Sequence, residues 1–148
     1  MGTSVSRGRS KISSELIQAY HDAVYRVATL DEALHLRVDQ RSSELAAMYQ
    51  IYGCTSACFI TACNPLSQLR SAQINREANA RLRIELERVS RAVFDSDGND
   101  ADGESPHEPG FLALGIDEAQ AAGLGRSHEQ NAVLWAGVDA IPRLMLLR

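Results

Sequence analysis

Asn64-Pro65 constrains this chain more than any other pair of residues. Proline fixes its own φ and disfavours the right-handed helical region for the residue before it. The apolar run Ala57-Cys58-Phe59-Ile60 must therefore end near this point. Four consecutive apolar residues are the pattern of a strand covered on both faces. Past the break, Ser67 or Ser71 can cap a helix by accepting a bond from a free backbone N–H. Ser56 to Asn79 thus reads as strand, polar elbow and long amphipathic helix, and the other elements are expected to pack around that unit. A helix that begins just beyond a buried strand presents free N–H groups and a positive dipole end, a common seat for a polar or anionic ligand. The plainer reading is that Thr61, Asn64 and Ser67 satisfy backbone groups in a tight turn.

The rest of the chain can be placed around this unit in order. Ser13 or Ser14 can cap a first helix, whose apolar stripe is Leu16, Ile17, Tyr20, Val24 and Val27, with His21 nearby. Leu34-His35-Leu36-Arg37-Val38 alternates with period two, a strand with the apolar residues inward. Ser42 or Ser43 starts a helix to Tyr52 that buries Leu45, Met48, Tyr49 and Tyr52, and Gly53 ends it. The helix after the elbow runs from Ser71 to Ser90, with Asn75, Ala78, Leu82, Leu86, Val89 and Val93 as its inward stripe. Glu77–Arg81 and Glu87–Arg91 are expected ion pairs on it. Asn75 and Asn79, one turn apart, can reach back toward the elbow or face water. A buried strand follows at Phe111–Ile116. Asp117 caps a short helix over Glu118–Leu124 that Gly123 and Gly125 close. Ala132–Trp135 and Arg143–Leu147 form an antiparallel hairpin around Gly137–Pro142. The order α-βαβαββαββ predicts an α+β fold, a mixed, mostly antiparallel sheet with helices packed on its faces.

A chain of 148 residues is one domain by size and buries about 68–70% of its unfolded surface. We expect a disordered basic arm over residues 1–10 and a single domain over 11–148. Apolar content of 45% and charged content of 23% are globular values. A net charge of −4 argues against general nucleic-acid binding, which needs a basic face. No apolar run is long enough to span a membrane, and no apolar segment follows Arg7, Arg9 and Lys11 to make a signal peptide. With an odd number of cysteines, the expectation is a reduced, cytoplasmic protein. Met1-Gly2 with Ser6 fits a myristoylation pattern only weakly.

Cys54, Cys58 and Cys63 lack zinc-site spacing, and Cys58 lies mid-strand. Cys63, in the elbow, could have its thiol activated by a helix N-terminus, with His107 or His128 arriving as base. The acidic segment 95–104 fails the calcium-loop template: from Asp95, Asp100 stands where glycine is needed and Pro106 where glutamate is needed. It reads as an acidic hairpin tip. His128-Glu129 is not a zinc-protease motif, because Ala132 stands at the second histidine position. No metal or cofactor is expected.

Three blocks together resemble a known family. They are Ile60-Thr61-Ala62-Cys63-Asn64-Pro65-Leu66-Ser67 with Asn75 and Asn79 downstream, Glu108 with Phe111-Leu112-Ala113-Leu114-Gly115, and Gln130-Asn131-Ala132-Val133-Leu134-Trp135. In order and spacing the chain, from Tyr25 to Arg148, is similar to the bacterial domain of unknown function numbered 3293. The resemblance implies a compact single domain and no established activity. An aromatic residue is usual in that family where Cys63 stands, which counts against shared cysteine chemistry. Glutamate is usual at Ile74, and a tryptophan usually precedes the position of Glu108, where this chain has Pro106-His107.

Thr61, Asn64, Ser67, Asn75, Glu108, Gln130 and Asn131 are the candidate ligand-binding residues. All but Asn75 lie at strand ends or adjoining turns, and they would line one pocket if those ends share an edge. Neutral amides and hydroxyls with a single carboxylate suit a small polar ligand or a nucleotide base. Two other readings stand beside this one. The first is an enzyme using Glu108 as general acid or base, with His107 or His128. The second is a protein-interaction domain using Arg76, Arg83 and Arg91 or the acidic loop.

Overall fold

The computed structural model describes residues 12–29, 33–99 and 108–148. The expected basic arm, His107 and the part of the acidic segment beyond Asn99 lie outside these residues.

Two of the elements are specified almost wholly by local sequence. Helix α2 (Ser43–Tyr52) starts where the Ser42 hydroxyl accepts from Leu45 N at 3.0 Å and stops where Gly53 turns left-handed at φ 67°. Helix α3 (Ala72–Val89) starts where the Ser71 hydroxyl accepts from Ile74 N at 3.1 Å. Helix α1 is short, Ser14–Asp22, capped by Ser13. Helix α4 (Glu118–Ser127) carries a reciprocal cap between Asp117 and Gln120.

Seven strands form one sheet. They are β1 (Val24–Val27), β2 (Leu34–Arg37), β3 (Ala57–Ile60), β4 (Ala92–Asn99), β5 (Glu108–Leu114), β6 (Ala132–Ala136) and β7 (Arg143–Leu146). Their order is β2-β1-β4-β5-β3-β6-β7, and every pairing is antiparallel. The sheet curls until the ends of its edge strands approach. Asp39 N donates to Pro142 O at 2.7 Å and Ser42 N to Ala140 O at 3.0 Å. The inside of the curl is filled by Tyr25, Val27, Leu36, Phe59, Leu112, Leu114 and Leu134 against Leu45, Met48 and Tyr49 of α2. The outside packs Cys58, Ile60, Phe111, Ala113 and Val133 against Ala78, Leu82 and Leu86 of α3 and Ala121 of α4. β3 lies between β5 and β6 with both faces covered, which is why it reads as an unbroken apolar run.

Four expectations need correction. The first helix does not reach Val27: it ends at Asp22, and Val24–Val27 is strand β1. Val24 and Val27 fit a helical stripe, but Tyr25 and Val27 are buried and Arg26 exposed, which is period two. Pairing with β2 on one side and β4 on the other satisfies this backbone twice over. Next, the ion pairs expected on α3 do not form. Arg91 lies past the helix end, and Glu87 instead meets Arg83 at 3.3 Å, while Arg83 also reaches Asp95 at 2.9 Å. The inward stripe of α3 likewise stops at Leu86: Val89 is 43% exposed and Val93 belongs to β4. Finally, α4 runs through both glycines rather than ending at them.

Gly125 explains that last correction. A Cβ at this position would collide with Leu147 Cδ1 and lie 2.9 Å from Val133 Cγ1. The glycine is there to let α4 approach β6, so it sits inside the helix despite its poor propensity. Gly123 has nothing within 4 Å of the same added atom. Gly123→Ala is expected to stabilise the protein by up to about 1 kcal/mol through helix propensity. Gly125→Ala gains the same propensity and is nonetheless expected to destabilise, because overpacking costs about 1–3 kcal/mol. Urea unfolding of the two variants beside wild type checks the opposite signs.

Candidate functional site

The elbow between β3 and α3 is held in a backbone conformation its residues do not favour. Asn64, Leu66 and Ser67 all have positive φ, at 47°, 57° and 60°. Proline leads one to expect an extended Asn64, yet Asn64 is left-handed, the region asparagine tolerates best. Such residues cost on the order of 1–3 kcal/mol each and persist only where surroundings over-determine them.

Side-chain amides supply that determination. Asn79 of α3 accepts from Ala62 N at 2.8 Å and donates to Pro109 O at 3.0 Å, tying the elbow to the start of β5. Asn75, one turn earlier, accepts from Asn64 N and donates to Asn64 Oδ1, both at 2.9 Å. Thr61 Oγ1 accepts from Cys63 N at 3.0 Å and donates to Pro109 O at 2.6 Å. Gln130 donates to Cys63 O at 3.1 Å, and Leu66 N donates to Glu129 O at 2.7 Å. Each bond contributes about 0.5–1.5 kcal/mol net, so together they offset strain of the same order.

This stapling sets the orientation of Asn64. Its Oδ1 is claimed twice, by Asn75 Nδ2 and by Arg70 N at 2.9 Å. An amide with its oxygen so engaged must turn its NH2 the other way. Asn64 Nδ2 accordingly donates to Glu108 Oε2 at 3.2 Å. Glu108 Oε1 has no hydrogen bond among the described residues.

Glu108 opens β5 on the inner side of the curled sheet. Its partner across the ladder is Gly98, whose own partner on the other side is Tyr25. Because Gly98 has no side chain, the Tyr25 ring lies over it and meets Phe59 edge-on, with centroids 4.7 Å apart. The Tyr25 hydroxyl donates to Tyr20 O at 3.0 Å and so ties the end of α1 to β1.

A cleft of about 310 Å³ lies here, between α1 and the inner face of the sheet. Leu16, Ala19 and Tyr20 of α1, with Ala23 just past its end, form one wall; Tyr25, Phe59, Ala132, Leu134 and Leu144 form the other. Thr61, Asn64, Ser67, Glu108 and Gln130 line it as well, and Leu69, 87% exposed, stands at its edge. Five of the seven residues singled out by sequence therefore border one cavity. The other two stand behind it. Asn75 is turned to the elbow, and Asn131, 5% exposed, donates to Ser67 Oγ at 2.7 Å while accepting from Arg148 Nη1 at 2.7 Å. The structure adds Tyr20, Tyr25 and Asn79, none of which was among the seven. Tyr20 was hidden because it reads as part of an apolar helical stripe, and Tyr25 because Val24 and Val27 around it read as the end of that helix.

Other sequence candidates are placed elsewhere. His128 pairs with Glu85 of α3 at 3.1 Å. Cys63 is buried, its thiol pushed up by burial, with Thr61 and Asn79 opposing and the Glu108 charge adding to the shift. That is the reverse of an activated thiol. Cys58, buried mid-strand, is pushed up to about 12 by desolvation. Burial also pushes the Glu108 carboxyl above its ordinary value, with the Asn64 hydrogen bond only partly opposing it. Among the described residues, no helix is long and apolar enough to cross a membrane.

A family model described as protein of unknown function (DUF3293) matches residues 60–133, half of the 148-residue chain. The chain belongs to this family. The match is shorter than the span Tyr25–Arg148 over which the resemblance was seen. It nevertheless takes in the elbow, α3, Glu108 and the turn before β6, so the DUF3293 segment contains every cleft residue that sequence picked out. The α1 wall and Tyr25 lie outside it. No curated protein and no solved structure matches the chain.

Two outcomes follow for this DUF3293 site. Asn79→Ala strands the buried Ala62 N–H, at a cost of about 1–3 kcal/mol, whereas Asn75→Ala, at a half-buried position, should cost about 0.5–1.5 kcal/mol. Urea denaturation ranks them. The second outcome concerns pH. An acid whose folded pKa is raised binds its proton more tightly folded than unfolded, so stability falls as pH rises through the window between the two values. Below the ordinary value of 4.5 the penalty is absent, and above the raised value it is complete. Glu108→Gln should therefore match wild type in acid and exceed it progressively as pH rises toward neutrality, read as the difference in urea midpoint.

Proposed function

We propose that this protein is a small-molecule-binding module of the cytoplasm, with the cleft beneath α1 as its binding site. The observation that carries the reading is convergence. Residues from α1, the end of β3, the elbow and the starts of β1, β5 and β6 meet around one cavity, apolar on its walls and polar at one end. That is the composition of a site which excludes water from a ligand's body and orients it through a few polar groups. Most elbow amides are engaged in holding backbone. The groups left for a ligand are the Glu108 carboxylate and the Tyr20 and Ser67 hydroxyls, which lie 3.3 Å apart.

A second reading has one observation behind it. A carboxyl with a raised pKa and one oxygen turned to a cleft is suited to general acid or base chemistry on whatever binds. With His128 paired to Glu85 on the far face of the sheet, Glu108 would act without that histidine. This reading therefore depends on the first.

Native mass spectrometry of the purified protein beside Ala19→Trp tests the binding site. Ala19 is exposed on α1 and faces the cleft, so an indole there fills the cavity without entering the core. A discrete added mass is expected on wild type, either co-purified or taken up from a metabolite mixture, and lost in the variant. Equal apo masses for both proteins, with no amide resonance of the cleft moved by the same mixture, would overturn the reading.

A further inference from the structure

We propose that the ligand is a small organic cation, an amine or amidinium on an apolar body, held with its charge on Glu108 and its body against Tyr25 and Phe59. This rests on the cleft being a binding site and goes further, to the sign of the charge it takes. Among the described residues that line the cleft, Glu108 is the one carboxylate, and none is lysine, arginine or histidine. Its only hydrogen bond among the described residues comes from a neutral amide, on Oε2, so none of them claims Oε1. A carboxylate in apolar surroundings is costly unless paired. A cation supplies the pair, whereas an acid would add a second negative charge. The Tyr25 ring, one strand beyond Glu108's ladder partner Gly98, meets Phe59 edge-on, and the two line the same cleft and offer aromatic surface to a cation. The cavity of about 310 Å³ accommodates a single-ring compound.

Four one-ring probes separate the possibilities: benzylamine, benzamidine, benzyl alcohol and benzoate, each titrated at millimolar concentration into the folded protein and followed by backbone amide shifts. Wild type, Glu108→Gln and Ala19→Trp are compared. Benzamidine and benzylamine should bind wild type at least tenfold more tightly than the alcohol or the acid. Glu108→Gln should remove that preference, and Ala19→Trp should abolish binding of all four. The preference should also grow as pH rises and Glu108 ionises. Among the described residues, Tyr25 from β1 and Cys63 from the elbow also face Glu108; both are raised by burial and stay neutral in that range, as their pKa directions require. If the alcohol or benzoate binds as tightly as the cations, or Glu108→Gln leaves the preference intact, the cation assignment is wrong and the cleft stands as a site. If no probe moves a cleft resonance in wild type, and Ala19→Trp behaves identically, both fall together.

Discussion

The amide of Asn79 is the contact on which most of the molecule depends. It sits on α3, yet it serves the backbone of two strands, accepting from Ala62 just past β3 and donating to Pro109 at the start of β5. Without it a buried N–H beside the most covered strand of the sheet would have no partner. With it, the helix on the outer face is locked to the strand ends that bound the cleft on the inner face. Asn75 repeats the device one turn away, on Asn64. The spacing of four residues puts both amides on one helix face, so a single rotation of α3 satisfies both.

That arrangement separates the polar residues into two populations that a sequence cannot tell apart. Thr61, Asn75 and Gln130 have chemistry suited to a ligand, but their hydrogen bonds go to the elbow and its neighbours, all to backbone except the one from Asn75 to Asn64 Oδ1. Glu108 has one oxygen on Asn64 and the other unclaimed among the described residues. The satisfied-turn reading of the elbow thus holds for Thr61, Asn75 and Gln130, while Glu108 keeps an acceptor that no described residue uses. The strained positions at Asn64, Leu66 and Ser67 belong to the same account. They are held by the amides, and the turn they make brings Ser67 against Asn131 and Tyr20.

How much could be read beforehand follows from how local each signal is. The start and end of α2 are written in Ser42, Leu45 and Gly53, all within the element, and they are where sequence placed them. Strand β1 is different. Val24 and Val27 are three residues apart and suit a helix as well as a strand; the choice is made by partners in β2 and β4, the latter distant in sequence. Gly125 misled for the same reason, because the atoms that require it belong to Leu147 and Val133. The site was legible as a place, since the elbow, Glu108 and Gln130 all adjoin strand ends that antiparallel pairing brings to one edge. It was not legible as a set of roles. Those depend on which way Asn64 turns its amide, and that is decided by Arg70 and Asn75.

The cleft's outer wall is held far more lightly than its inner one. No residue of α1 is buried, whereas the facing side chains of Phe59, Leu134 and Tyr25 belong to the main core. Three contacts through Tyr20 tie the helix down: its carbonyl takes the Tyr25 hydroxyl, and its own hydroxyl meets Ser67 and accepts from Asn131 Nδ2. Elements with few buried contacts open locally at low cost. Ser67 is also one of the three positive-φ residues of the elbow, so the latch on α1 and the strained turn are the same atoms. Hydrogen bonds join Glu108 to Asn64, Asn64 to Ser67 and Ser67 to Tyr20, so the carboxylate end of the cleft and the helix that walls it share one chain of contacts.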